Sequence, residues 1–174
     1  GYWVMEEAMS QLARWMEAGG PWTRVGINLS PRQFEDDSLV ESVQEVLDRL
    51  QLDRSSIVFE ITESSVMRNP AAAVTQIERL RATGVRFALD DFGSGYSAFS
   101  YLNRLPVDII KIDPSFVARA GESEGDERTL RTLVSLALDL GMVVVVEGIE
   151  TAEQVALARS MGPVRMQGYY FARP

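Results

Sequence analysis

The sequence predicts an α/β protein built on a parallel sheet, and three observations carry that prediction. Six short β-rich runs alternate with helical stretches of about 10–15 residues, the spacing of βαβ units. The runs Ile57-Val58-Phe59 and Val143-Val144-Val145-Val146 are continuously apolar, as in strands covered on both faces. Each run also carries polar residues at or just past its C-terminal end, which is where parallel α/β folds bind ligands.

The elements follow in order. A first helix covers Glu6–Ala18, and Gly1–Glu7 reads as its amphipathic opening, not as a signal peptide. Strand Arg24–Leu29 ends at Asn28, and helix Ser38–Leu50 leads to strand Ser56–Thr62, which places Glu60 and then Glu63 at its end. Helix Ala71–Ala82 opens with Asn69-Pro70, a cap followed by proline at the first helical position, and stops before Gly84. Strand Val85–Asp91 runs into Asp90 and Asp91 and then a loop with Gly93, Ser94 and Gly95. A short helix, Ser97–Leu102, precedes strand Val107–Asp113, which carries Lys111 and Asp113. Gly121–Asp126 reads as a polar loop before helix Asp126–Leu140, which Gly141 terminates. Strand Met142–Gly148 leads to Glu147 and Glu150, and Thr151 to Gln154 has the capping-box spacing that opens helix Ala152–Ser160. The last strand, Val164–Gly168, carries Gln167. Tyr96, Tyr101, Tyr169 and Tyr170 read as barrel packing, and Met142 and Met166 as core filler.

At this level a doubly wound sheet and a (β/α)8 barrel both remain open, and six strands are two short of a barrel. Strand parity adds a second argument. Glu60 stands between Phe59 and Ile61, and Lys111 between Ile110 and Ile112, so each charge points away from its apolar neighbours. In a barrel that face is the lumen. Buried charges there need partners or a metal, so the pattern favours a barrel with a site in its mouth.

Composition narrows the chemistry. The 174 residues suit one domain, and 46% hydrophobic with 24% charged residues is ordinary for a globular protein. Without cysteine there is no disulfide, thiolate nucleophile or zinc–sulfur site, and without histidine no imidazole base or ligand. The net charge of −8 argues against binding a DNA or RNA polymer. No apolar run reaches the length of a membrane span, so a cytoplasmic protein, or the cytoplasmic part of a membrane-anchored one, is expected. The adjacent carboxylates of Asp90 and Asp91 repel each other and call for a cation, for which a divalent metal with oxygen ligands is the usual choice.

The ordered motifs Ile27-Asn28-Leu29-Ser30-Pro31, Glu60-Ile61-Thr62-Glu63 and Leu89-Asp90-Asp91-Phe92-Gly93-Ser94-Gly95 resemble the EAL domain family. So do Leu105-Pro106-Val107-Asp108, Ile110-Lys111-Ile112-Asp113, Val146-Glu147-Gly148-Ile149-Glu150 and Gln167-Gly168-Tyr169. The resemblance spans nearly the whole chain. It implies a TIM-like (β/α)8 barrel and a cyclic di-GMP-specific phosphodiesterase whose two-metal Mg²⁺ or Mn²⁺ site yields linear pGpG. By the same resemblance Asn28, Glu60 and Asp90 match ligands of the first ion, and Asp91 a ligand of the second, with Asp90 bridging. Glu147 matches the acid beside the second ion, and Lys111 the lysine that meets the attacking water and the scissile phosphate. Glu63 matches the residue that holds the loop Asp91–Ser97. Gln167 and Glu150 match positions bordering the site, Asp113 a supporting position, and Ser94 stands where many members have threonine.

One motif is missing. The Glu-Ala-Leu sequence that names the family, with a further metal-binding glutamate, is expected before Gly1, on one of two strands that would bring six to eight. The chain therefore looks like an EAL domain over residues 1–174 without its first strands and its C-terminal end, and weak or no turnover is expected of it alone. The parent is expected to carry a sensory or diguanylate-cyclase-type domain and to form a homodimer near the Asp91–Tyr101 loop. The competing function is a non-catalytic cyclic di-GMP receptor or interaction module.

Overall fold

The computed structural model describes residues 1–21, 23–95 and 99–173 of the chain. Among them, helix α1 (Tyr2–Glu17) leads into β1 (Val25–Asn28), followed by α2 (Pro31–Phe34) and α3 (Leu39–Leu50). Strand β2 (Ile57–Thr62), helices α4 (Glu63–Arg68) and α5 (Pro70–Arg81), and β3 (Arg86–Phe92) come next. Then follow α6 (Phe99–Leu102), β4 (Ile109–Ile112), α7 (Pro114–Ala120), α8 (Glu124–Asp139), β5 (Val143–Val146), α9 (Ala152–Arg159) and β6 (Arg165–Met166).

The strand order settles what the strand count left open. The six strands form one parallel sheet in the order β1-β2-β3-β4-β5-β6, each beside its neighbour in sequence. A doubly wound sheet reverses direction at a switch point. This one never does, and it curls into a half-barrel. The main core lies between the outer face of the sheet and the helices, and it includes Phe59, Ile61, Phe87, Leu89, Ile110 and Ile112. A small separate cluster of Val58, Ala88 and Ile109, flanked by Val143 and Val145, fills the floor of the inner face. Glu60 and Lys111 share the parity of that inner cluster, as their apolar neighbours predict.

Local signals account for most of the helix ends. The Asn69 side chain accepts the Ala72 N–H at 3.3 Å, and Thr151 with Gln154 closes both bonds of the capping box. Three departures from the sequence reading have physical causes. Strand β4 is shorter than Val107–Asp113 at both ends: at its start the Phe87 N–H is taken by the Asp108 side chain at 2.9 Å, and at its end the Asp113 side chain accepts the Ser115 N–H at 2.8 Å and caps α7. Helix α4 starts directly at Glu63, capped by Thr62, whose hydroxyl accepts the Ser65 N–H at 3.3 Å. The loop Gly121–Asp126 is also shorter than expected, because Ser123 caps α8 and the helix begins at Glu124. Of the helix expected over Ser97–Leu102, the start at Ser97 and Ala98 lies outside the described residues, as does Tyr96. No described helix is long and apolar enough to cross a membrane.

Candidate active site

The sheet delivers its polar residues to one end of the inner face. Register pairs Asn28 with Glu60 across β1 and β2, and Thr62 with Asp90 across β2 and β3. At the centre is the ammonium of Lys111. Its Nζ lies 2.7 Å from Glu60 Oε2, 3.0 Å from Asp90 Oδ1 and 3.0 Å from Glu147 Oε1. All four side chains are 16% exposed or less, so solvent screens these charges little.

The charge balance is uneven. Burial pulls the Lys111 pKa down, but the carboxylates of Glu60, Asp90 and Glu147 outweigh it and hold the group well above an ordinary lysine. Burial pushes Glu147 up; the bond from Lys111 opposes this, and the charges of Asp90 and Glu60 add to it. Asp91 is raised by burial first, then by Asp90 and Asp113, with Lys111 opposing. Three largely covered carboxylates thus face a single ammonium, and a fourth stands beside them. Among the described residues no three acids form a ready cage of their own, because Lys111 stands between them. The donor set is nonetheless all hard oxygen with surplus negative charge, which suits Mg²⁺ or Mn²⁺ better than a softer ion.

A bulge explains how adjacent aspartates both reach the site. Leu89 pairs with Ile110 and Phe92 with Ile112, so β3 spends three residues where β4 spends two. Asp91 has φ +55°, a left-handed backbone uncommon outside glycine, and its N–H donates to Asp90 Oδ1 at 3.1 Å. Its carbonyl accepts the Ser94 hydroxyl at 2.8 Å, which starts the loop. Glu63, 2% exposed, takes the Gly93 N–H on Oε2 at 2.9 Å. Its other oxygen has no partner among the described residues, and a Cβ on Gly95 would sit 2.4 Å from it. Gly93, at φ +95°, passes so close to Phe116 that a Cβ there would meet the ring at 2.7 Å. Both glycines are what the close passage of the loop requires.

The sequence-expected residues therefore fall into three groups. Glu60, Asp90, Lys111 and Glu147 are in direct contact, and Asp91 lies within their field. Glu63 and Ser94 shape the loop, while Asp113 caps α7 beside it. Asn28, Glu150 and Gln167 are exposed on the rim. Gln167 is held by its backbone, which donates to Val146 and accepts from Ile149, and the Glu150 N–H donates to Gln154. The tyrosines are a correction. Tyr101, Tyr169 and Tyr170 are 37%, 57% and 49% exposed, because nothing among the described residues covers the β6 edge or the surface of α6. Met142 and Met166 do pack against the core. The sequence motif Leu105-Pro106-Val107-Asp108 gives no sign of one contact that the structure shows, the Asp108 carboxylate accepting the Phe87 N–H at 2.9 Å.

Comparison with known proteins agrees with this geometry. The EAL domain family matches residues 1–174. The bifunctional diguanylate cyclase/cyclic di-GMP phosphodiesterase MucR of Pseudomonas aeruginosa is 37% identical over 100% of the chain, which covers 25% of that protein. The solved MucR phosphodiesterase in complex with c-di-GMP has TM-score 0.94 at 37% identity, covering 100% of this chain and 70% of that one. The EAL domain of Mycobacterium smegmatis DcpA has TM-score 0.93 at 39% identity, covering 100% of this chain and 78% of that one. The chain spans about a quarter of the length of the curated relatives it matches, 24% and 25% for two of them. With the match running from end to end and the strand-end carboxylates gathered on one lysine, this chain belongs to the EAL domain family.

Proposed function

We propose that the chain is the catalytic portion of a cyclic di-GMP phosphodiesterase acting in bacterial second-messenger signalling, in the cytoplasm and with Mg²⁺ or Mn²⁺. The observation that carries this reading is the convergence of Glu60, Asp90 and Glu147 on Lys111 at the mouth of a curled parallel sheet. Glu60, Asp90, Asp91 and Glu147, with Asn28 on the rim, would hold the ions. When bound, such ions supply positive charge at the reacting phosphate and lower the pKa of an attacking water.

The chain's own residues supply the rest. Because its carboxylate partners keep Lys111 protonated, it acts as a charged donor toward the phosphate and the entering water, not as a base. Glu63 fixes the loop from Asp91 to Gly95 through Gly93, so the aspartates stay aimed at the same point. Hydrolysis breaks one P–O3′ bond, the water oxygen joins phosphorus, and a proton ends on the 3′ oxygen. The product is linear pGpG. The strands that close the sheet between β6 and β1, the Glu-Ala-Leu glutamate and a sensory or cyclase-type domain belong, in this reading, to the longer protein.

The test is to incubate the full-length parent with cyclic di-GMP and Mg²⁺ or Mn²⁺ and to separate the nucleotides by chromatography. Linear pGpG is expected, lost with chelator and with Lys111→Met. Binding of cyclic di-GMP without any pGpG would replace this reading with a receptor. The isolated 174-residue chain is expected to turn over weakly or not at all, and robust hydrolysis by it would refute the need for further strands.

A further inference from the structure

The Asp108 carboxylate does something that no catalytic role requires. It lies at the opposite end of the sheet from the carboxylate cluster, just before β4. Its Oδ2 accepts the Phe87 N–H at 2.9 Å, while its own N–H donates to the Phe87 carbonyl at 2.9 Å. Both main-chain polar groups of Phe87 are thus taken by the one residue that leads into the neighbouring strand. Its Oδ1 is held by Arg81 Nη2 at 2.9 Å, from the last turn of α5. Its carbonyl accepts the Val143 N–H at 3.0 Å, which ties in β5 as well. A regular ladder would offer the Phe87 N–H a main-chain acceptor; here the Asp108 carboxylate takes that place.

The consequence reaches the site through register. Phe87 is three residues before Asp90, and Asp108 is three residues before Lys111. A clamp between the first pair therefore sets the second pair side by side, and Lys111 Nζ indeed meets Asp90 Oδ1 at 3.0 Å. A slip of β4 by one residue would turn Lys111 to the helix-facing side and bring an isoleucine into the lumen. The ladder is irregular from Leu89 to Phe92, so the regular pairing that aligns Asp90 with Lys111 lies on the Phe87 side of the bulge, where Asp108 holds it.

We propose that Asp108 is a positioning residue, whose carboxylate pins β3 to β4 and thereby places the Lys111 ammonium among Glu60, Asp90 and Glu147. Its catalytic consequence rests on the phosphodiesterase reading above; its register consequence does not. The test uses the full-length parent carrying Asp108→Ala or Asp108→Asn, with steady-state kinetics and residue-resolved hydrogen exchange. Asp108→Ala is expected to lower kcat by about tenfold or more with KM within about twofold. Exchange should rise in 86–92 and 109–112 while 25–28 stays as in wild type. Asp108→Asn keeps an oxygen for the Phe87 N–H and is expected to recover kcat to within about threefold of wild type. In the wild type the Phe87 amide should be as protected as the ladder amides of β4, a measurement that needs no variant to fold. Unprotected Phe87 would overturn the proposal. So would Asp108→Ala with kcat within twofold of wild type, or a loss shared equally by Asp108→Asn with exchange rising across all strands. A wild-type parent that makes no pGpG would sink the phosphodiesterase reading, and the exchange pattern would then decide the register claim alone.

Discussion

At the scale of residues, Lys111 decides how the acids behave. Its ammonium is the only cation in contact with Glu60, Asp90 and Glu147 among the described residues. Lys111→Met should therefore cost the metal-free protein about 3–5 kcal/mol, because breaking a buried pair leaves uncompensated charge. Urea unfolding in chelator measures this, and added Mn²⁺ should recover part of it; a variant as stable as wild type in chelator would show that the cluster is not coupled. The pH dependence follows from Glu147, whose carboxyl is raised, chiefly by burial. Between its unfolded and folded pKa the native state binds the extra proton, so its contribution to stability falls as pH rises through that window. In chelator, Glu147→Gln should accordingly gain on wild type as pH rises, and the two should converge on acidification. Lys111 has the same slope at higher pH: its raised pKa contributes stability that is fully present below the ordinary lysine range and is lost as pH climbs through the folded value.

At the scale of elements, caps and loops separate what is local from what is not. Asn69-Pro70 and the Thr151 box are legible because a cap satisfies its own helix within three residues. Thr151→Ala should cost about 1 kcal/mol in denaturant unfolding, with no effect on the Lys111 cluster. Helix α7 is not among the predicted helices although Asp113-Pro114 carries the same cap-and-proline signal, because Asp113 also reads as the end of a strand. The bulge was out of reach for a different reason. Two consecutive aspartates in a strand point to opposite faces unless an extra residue is inserted, and insertion is visible only against the partner strand. Gly93→Ala should be costlier than the cap. It puts a side chain at φ +95° and 2.7 Å from the Phe116 ring, so a loss of at least about 1 kcal/mol is expected, with weakened metal binding by calorimetry.

At the scale of the whole molecule, the chain builds an open, curled sheet whose unpaired edges are β1 and β6 among the described residues. The carboxyl ends of its strands carry more negative charge than one lysine neutralises, so a divalent cation should stabilise the fold by mass action. At a concentration 100 times its Kd, Mn²⁺ should add about 2.7 kcal/mol to the unfolding free energy of the parent. Asp90→Asn should remove most of that increment. An equal gain in that variant would place the ion elsewhere.

The sequence by itself determined the alternation of strands and helices, the side of the sheet on which Glu60 and Lys111 fall, and the candidate site residues. Those properties are written in short-range periodicity and in side-chain chemistry, neither of which needs a partner strand. Only the tertiary structure decided that the sheet is singly wound, that β3 carries a bulge, that Lys111 and not an acid occupies the centre, and that Asp108 clamps Phe87. Strand order, register and contact across 51 residues, as between Glu60 and Lys111, depend on which segments lie side by side, and that is a property of the folded chain as a whole.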